Sequence, residues 1–323
     1  MALSLSLLRA THQRLPNGVQ AAIPLTAGRL KQPRQQQHPR CLSYHFQLSS
    51  KRSFASEPGQ QIDPKMYNKV LKNGFPMFDE VTRQVQAQNP ASVLDLGTGP
   101  GEPSLSIAKV LPNTAITATD FQAGMVEQAK VRCEGYSNIS FGVCSADDLS
   151  EFPTSSFEAV TMVYTLMFVP DRNKCLSEIA RVLKPGGRAY IGVWKDFKFF
   201  ELGRETLAEL NNGQKPTPCI NPMALSAPNA VEDIVARTPE VSIYASTEVV
   251  TNYEAGSAED ACAISLITMK SELERLEAEG VENVQEKYNQ ALLKRLDDRG
   301  YKTESGSYII KGCLSQVLTI VKA

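Results

Sequence analysis

The chain is 323 residues long, with 34 Lys or Arg against 35 Asp or Glu, which bounds it to one large domain or two small ones. No apolar run approaches the ~20 residues of a membrane-crossing helix, and no cysteine pair has C-x-x-C or other metal-ligand spacing. Charge is uneven: residues 1–56 hold eight basic residues and no acid, leaving a net of −9 on the remainder, and an acidic body argues against a nucleic-acid partner.

Residues 2–15 (ALSLSLLRATHQRL) set leucines along one side of a helix, with Arg9 and Arg14 among polar positions. Serine and glutamine are frequent and nothing basic precedes Leu8. This is the pattern of an organelle transit peptide rather than of a secretory signal. Arg52-Ser53-Phe54-Ala55 is similar to a mitochondrial processing site cut after Phe54. The expected organisation is a transit peptide over 1–54 and a folded domain over 55–323, addressed to the mitochondrion, with a plastid as the alternative.

Residues 63–88 carry Tyr67, Val70, Leu71, Phe75, Met77, Phe78 and Val81 on the apolar faces of broken helices. A strand is expected at 92–96, then a helix to about Leu111, a strand at 115–119, and a helix over about 123–133 ended by Gly135. Strands follow at 139–144 and 157–163. Leu176, Ile179, Ala180 and Leu183 have the spacing of one buried helical face. Lys184-Pro185-Gly186-Gly187 then reads as the turn into a strand at 189–194. This alternation predicts parallel βαβ units with right-handed crossovers. Residues 195–228 read as irregular, with a helix start at 221–225. A strand at 241–253, helices at about 257–278 and 281–298, and a last strand from 308–310 and 314–321 complete the chain. Val281, Val284, Tyr288 and Leu292 form a stripe that reads as a cap packed on the core, with a homodimer interface as the alternative.

The most specific stretch is SVLDLGTGPGEPS, residues 92–104. An apolar run ends in Asp95, glycines stand at 97, 99 and 101, and a helix opens. A dinucleotide fingerprint would put its third glycine at 102. Glu102 stands there, where a carboxylate would repel a pyrophosphate from the helix N-terminus. A ligand without phosphates at that point, carrying an ammonium group, fits better: S-adenosylmethionine (SAM). The next strand ends in Asp120, 19 positions after Gly101, about where an acid reaches a ribose diol.

Four segments in order now resemble the class I SAM-dependent methyltransferases of small-molecule type. They are the glycine loop, Asp120-Phe121 with Met125, Phe157-Glu158-Ala159-Val160, and Leu183-Lys184-Pro185-Gly186-Gly187. The resemblance covers roughly 65–323 and is densest over 92–194. It implies an α/β fold: a doubly wound, seven-stranded, mostly parallel sheet of Rossmann-like methyltransferase type, with a helical cap whose acceptor-binding elements lie within 195–300. It implies that Gly97, Gly99 and Gly101 admit the donor close to the backbone. Asp95 is then expected to face the donor ammonium, directly or through water, Asp120 the ribose hydroxyls, and Phe121 and Met125 the adenine, with Tyr67 as a lid residue. The family commonly has an Asp-Ala pair after the third strand. Here Ser145-Ala146 stands, with Asp147 next, so Ser145 or Asp147 reads the adenine edge, Asp147 being favoured.

The acceptor is narrowed by exclusion. Strand four ends in Val163-Tyr164-Thr165-Leu166, without the Asn/Asp-Pro-Pro-Tyr turn of amide and nucleobase amine methylation. No carboxylate cluster suggests a metal. The three histidines, His12, His38 and His45, all lie in the transit segment, so the commonest general base is missing from the domain. The acceptor is therefore expected to be a small molecule already nucleophilic at neutral pH. A sulfur-containing or carboxylic metabolite ranks ahead of a quinone or phenol. Tyr164 is the expected catalytic residue, its ring stabilising the cationic methyl together with Phe168 and Trp194. Two other classes stay in view: an organellar assembly factor that binds SAM without transfer, and a nicotinamide oxidoreductase, against which Glu102 argues.

Overall fold

Val93 and Leu94 are fully buried, as are Val160 and Met162 sixty-odd residues later. Strands apolar on both faces need helices on both sides, which is the condition for a parallel sheet. The computed structural model describes residues 67–323 apart from 69, 217 and 219. The transit segment read at 1–54 and its histidines lie outside the described residues.

A 3-10 turn, Leu71–Gly74, leads into α1 (Phe75–Gln88), whose Met77, Phe78, Val81 and Val85 are buried. Then come β1 (Ser92–Leu96), α2 (Ser104–Val110), β2 (Ala115–Asp120), α3 (Ala123–Arg132), β3 (Ile139–Val143) and β4 (Phe157–Val163). The chain continues through α4 (Arg172–Val182), β5 (Leu183–Asp196), α5 (Lys198–Leu210), α6 (Ala230–Val235), β6 (Val241–Ala255), α7 (Ala258–Ala278), α8 (Val284–Asp298) and β7 (Tyr308–Lys322). The sheet order is β3-β2-β1-β4-β5-β7-β6. β7 runs antiparallel to both neighbours, and the pairings among β1 to β5 are parallel. The doubly wound, seven-stranded, mostly parallel fold is thus the one expected. Strand order reverses between β1 and β4, and their carboxyl ends open the crevice where such sheets hold ligands.

Several elements differ from the sequence reading. Leu183, expected as the last apolar position of a helix, instead begins β5 and pairs with Phe157. The register then shifts, so that Arg188 faces Ala159, and the expected turn at 184–187 lies inside the strand. Helix α5 falls in a stretch read as irregular, and 221–225 forms a turn before α6 rather than a helix.

Helices α5, α7 and α8 pack on one another as a cap. A Cβ at Gly203 of α5 would lie 2.9 Å from the hydroxyls of both Ser265 on α7 and Tyr288 on α8. Those two hydroxyls are buried and hydrogen-bond each other. Arg295 of α8 pairs with Glu205 and Glu209 of α5 at the rim. Val284, Tyr288 and Leu292 are buried within the chain, so the stripe packs on the core. Among the described residues no helix is long and apolar enough to cross a membrane.

Candidate functional site

The loop after β1 is built by its own hydrogen bonds. The N–H groups of Gly97 and Thr98 both donate to the Thr119 carbonyl at 2.8 Å. A Cβ at Gly97 would lie 2.2 Å from the Thr165 hydroxyl, and one at Gly101 2.9 Å from the Cys133 sulfur. Both have positive φ, 74° and 107°. The protein's own packing is thus enough to require these two glycines. Gly99 differs: a Cβ there would meet only the Tyr67 ring, at 3.7 Å.

Asp120 closes the cradle. Its Oδ2 accepts from the Gly99 N–H at 3.0 Å and its Oδ1 from the Gln122 N–H at 2.9 Å. Burial pushes its carboxyl up to about 6, against the opposing effect of those N–H donors. A carboxylate has about four acceptor sites, and the Phe121 N–H is a third donor to it, so Asp120 keeps capacity for one hydroxyl of a diol. Burial, with the Asp120 charge second, pushes the Tyr67 phenol up to about 12. Gly99, Asp120 and Tyr67 are thus brought together. The Cys144 N–H donates to the Asp120 carbonyl at 3.1 Å, which sets the 145–147 loop beside Asp120. The Ser145 hydroxyl donates to Asp147 Oδ1 at 2.5 Å, joining the two candidates for the adenine edge. Ala146 is half-buried against the core. Phe121 is 46% exposed while Met125 is buried in α3.

Asp95 is fully buried, with Oδ2 accepting from the Ser104 hydroxyl at 2.7 Å and Oδ1 from the Thr161 hydroxyl at 2.8 Å. It ties β1 to α2 and β4 through both carboxylate oxygens. Burial pushes its carboxyl up to about 6. Glu102 also turns inward. It accepts from the Ser106 hydroxyl at 2.7 Å and N–H at 3.3 Å, and pairs with Arg132 at 3.1 Å. The place a pyrophosphate would take at the start of α2 is filled by the chain's own carboxylate.

Beside the cradle lies a cleft partly open to solvent. An aromatic ladder runs along it. Phe78 meets Tyr164 edge-on at 6.3 Å, Tyr164 stacks on Trp194 at 4.4 Å, and Trp194 stacks on Phe197 at 4.5 Å. Phe197 leans on Tyr253 at 4.9 Å. Tyr67, Val70, Leu71 and Gly74 line one side, and Ile220, Pro222, Ile267 and Thr268 come from the cap region. Among the described residues no charged side chain lines the cleft.

Tyr164 has φ of 54°, a conformation a bulky residue adopts only when its surroundings impose it. Three contacts do so: its N–H donates to the Gly192 carbonyl at 2.8 Å, its hydroxyl shares a 2.9 Å hydrogen bond with Ser315, and its ring stacks on Trp194. Burial holds the phenols of Tyr164 and Tyr253 above the usual tyrosine range, so neither serves as a base at neutral pH. Phe168 lines the same cleft and is partly exposed.

Sequence reasoning missed Phe78, Phe197 and Tyr253 as cleft residues, and Thr161, Thr165 and Ser315 as the partners of Asp95, Gly97 and Tyr164. No short motif joins them; only the sheet topology brings them to one edge.

Residues 93–187 match the family model described as a methyltransferase domain. Over 125 residues the chain is 44% identical to the ubiquinone/menaquinone biosynthesis C-methyltransferase UbiE of Desulfotalea psychrophila, covering 38% of this chain and 50% of that protein. The protein of that name from Rickettsia massiliae is 37% identical over 117 residues, 34% of this chain and 46% of its own. The chain thus spans about half the length of the curated relatives it matches. A solved SAM dependent methyltransferase from Aquifex aeolicus is 22% identical, covering 58% of this chain and 94% of that one, with a TM-score of 0.45.

Proposed function

We infer that this chain, whose residues 93–187 match the family model described as a methyltransferase domain, is a class I SAM-dependent methyltransferase that transfers a methyl group from SAM to a small uncharged ring compound. The observation that carries this is the uncharged aromatic cleft opening beside the Gly99–Asp120 cradle.

The cradle fits the donor. Gly99 leaves open the space a Cβ would take, and Asp120 offers acceptor capacity for one hydroxyl of a ribose diol. Tyr67 covers the loop, while Ser145 and Asp147 stand where an adenine edge would be read. SAM, when bound, supplies an electrophilic methyl carbon on a sulfonium. The chain's own residues orient and dry the site. Tyr164, Trp194 and Phe197 form flat walls that hold a ring and favour a passing cation. The cleft lining offers no histidine, carboxylate or lysine to take a proton, so the proton that a ring hydroxyl or ring carbon gives up on methylation passes to water at the open side of the cleft. Catalysis then rests on positioning and exclusion of water.

This chemistry reorders the acceptors. A carboxylic metabolite would need a cation, and none lines the cleft. A quinol-type ring suits the aromatic walls and agrees with the names of the relatives, which match mainly over the donor half. A sulfur acceptor stays as the second reading, because a thioether needs no base. Delivery to a mitochondrion, or to a plastid, is part of the proposal and rests on the basic, acid-free composition of residues 1–56.

Calorimetric titration of SAM, its demethylated product and NAD into residues 55–323 tests the donor site. Binding of the first two but not NAD is expected. NAD binding alone, or none, would overturn the proposal. A labelled-methyl screen of quinols, phenols, thiols and thioethers then separates the acceptors. SAM binding without turnover across that screen would favour the assembly-factor reading.

A further inference from the structure

One buried polar side chain beside the cleft has no part in the chemistry above. Asn73, 4% exposed in the turn before α1, lies 181 residues from its partner. Its Nδ2 donates to the Glu254 carbonyl at 3.0 Å, and its Oδ1 accepts from the Glu254 N–H at 2.9 Å. An amide that exchanges both bonds with one backbone residue replaces a neighbouring strand at that point. β6 is the edge of the sheet, so this fastener holds an edge that β7 leaves free. It grips β6 just past a register shift between Thr251 and Tyr253, and bulges are where strands re-aim a side chain. At the other end of the segment Asn68 Nδ2 donates to Gln128 Oε1 of α3 at 3.1 Å in a half-buried bond.

Between these two fasteners lie Val70 and Leu71 of one cleft wall, with Tyr67 and Gly74 flanking them. Tyr253, next to Glu254, belongs to the facing wall. We propose that Asn73 is a positioning residue for the acceptor: its pair of hydrogen bonds to Glu254 fixes the spacing between the 67–74 segment and Tyr253, and so sets the cleft to the thickness of a flat ring. The role in acceptor choice rests on the methyltransferase reading. The grip itself does not. Loose walls would let a ring tilt away from the attack line, and small misplacements of a reacting group are costly in rate.

The test uses the full chain with Asn73→Ala and the isosteric Asn73→Asp, which sets a carboxylate oxygen against the Glu254 carbonyl. Trp194 is the single tryptophan of the chain and sits in the cleft wall, so its fluorescence reports on the cleft without any acceptor. Losing both hydrogen bonds raises the open-to-closed ratio of the segment roughly tenfold. Acrylamide quenching of Trp194 is expected to rise at temperatures where circular dichroism shows both variants folded. A second measurement needs no variant: in the wild-type chain the Glu254 amide, bonded to Asn73 rather than to the sheet, is expected to be protected from hydrogen exchange. Unchanged quenching in a folded variant, even one with a lower Tm, would reduce Asn73 to a structural role. Rapid exchange of the wild-type Glu254 amide would overturn the grip outright. If wild-type protein bound no SAM, the functional reading would fail while these two readouts still decided the grip.

Discussion

Gly101→Ala and Gly99→Ala, two residues apart in one loop, are expected to fail in different ways. At 101 the new Cβ must hold φ of 107° and stand 2.9 Å from the Cys133 sulfur and 3.4 Å from the Ala129 backbone. The backbone conformation costs ~1–3 kcal/mol and the overpacking a further ~1–3 kcal/mol. A total of about 3 kcal/mol lowers Tm by roughly 6–12 °C in a domain of this size. At 99 the φ of 54° lies in the left-handed region, where a non-glycine residue costs ~1–2 kcal/mol, and no atom is closer than Tyr67 at 3.7 Å. Gly99→Ala therefore folds, with its methyl in the donor cradle, and SAM affinity falls at least about tenfold by lost fit. The assay is a double-mutant cycle. Urea unfolding is measured for Gly101→Ala, Cys133→Ala and the pair, with calorimetric SAM binding for each and for Gly99→Ala. Removing the Cys133 sulfur relieves the contact, so Gly101→Ala is expected to cost about 1 kcal/mol less in that background. Strict additivity, or wild-type SAM binding by Gly99→Ala, would refute the division of labour between the glycines.

Burial holds the Asp95 carboxyl at about 6 in the folded chain, against about 3.9 unfolded. The folded state therefore binds this proton more tightly: its contribution is fully present below about pH 4 and lost as pH rises through about 6, costing up to ~3 kcal/mol at pH 7.5. Asp95→Asn removes that cost, since the Ser104 and Thr161 hydroxyls can turn to suit an amide, and is expected to stabilise at pH 7.5 but not at pH 4. An equal loss in urea unfolding at both pH values would sink the argument. Tyr164→Phe is expected to cost about 1 kcal/mol for the Ser315 bond and to leave turnover within about threefold, since the hydroxyl is not a base. Abolished turnover in that variant would restore a proton-transfer role. Arg132→Met leaves Glu102 buried without its cation and should cost about 3 kcal/mol, part of it recovered by Glu102→Gln; an unchanged denaturation midpoint would contradict the pairing.

What could be read from the chain was whatever is local. The glycine loop, the acids ending β1 and β2, and the helical face of α4 announce themselves because backbone conformation and periodicity are local constraints. Leu183 misled because an apolar residue at helical spacing is equally at home starting a buried strand. Helix α5 was hidden by the Asn, Gly and Pro residues that follow it at 211–222, although Phe199, Phe200, Leu202 and Leu207 are all buried. The position of Asp95 depends on Thr161, 66 residues away, and that of Gly101 on Cys133. No spacing rule couples such pairs. The cleft was legible only in part: Tyr164, Phe168 and Trp194 stand near strand ends in the sequence, whereas Phe78, Phe197 and Tyr253 join them only after the sheet has formed.

Strand β7 is last in sequence but lies between β5 and β6 in the sheet. A ribosome delivers β6 some fifty residues before the strand that must separate it from β5. Until residues 308–322 emerge, β6 has no partner in the order seen here, and the edge of β5 stays open beside it. The first five strands can assemble during synthesis, but the last two must wait for one another. This delay is the cost of threading a reversed strand into the sheet, and it exposes an apolar edge to any chaperone or aggregating neighbour. A chain stopped before residue 308 would keep the whole glycine loop yet lack Ser315, the support of Tyr164.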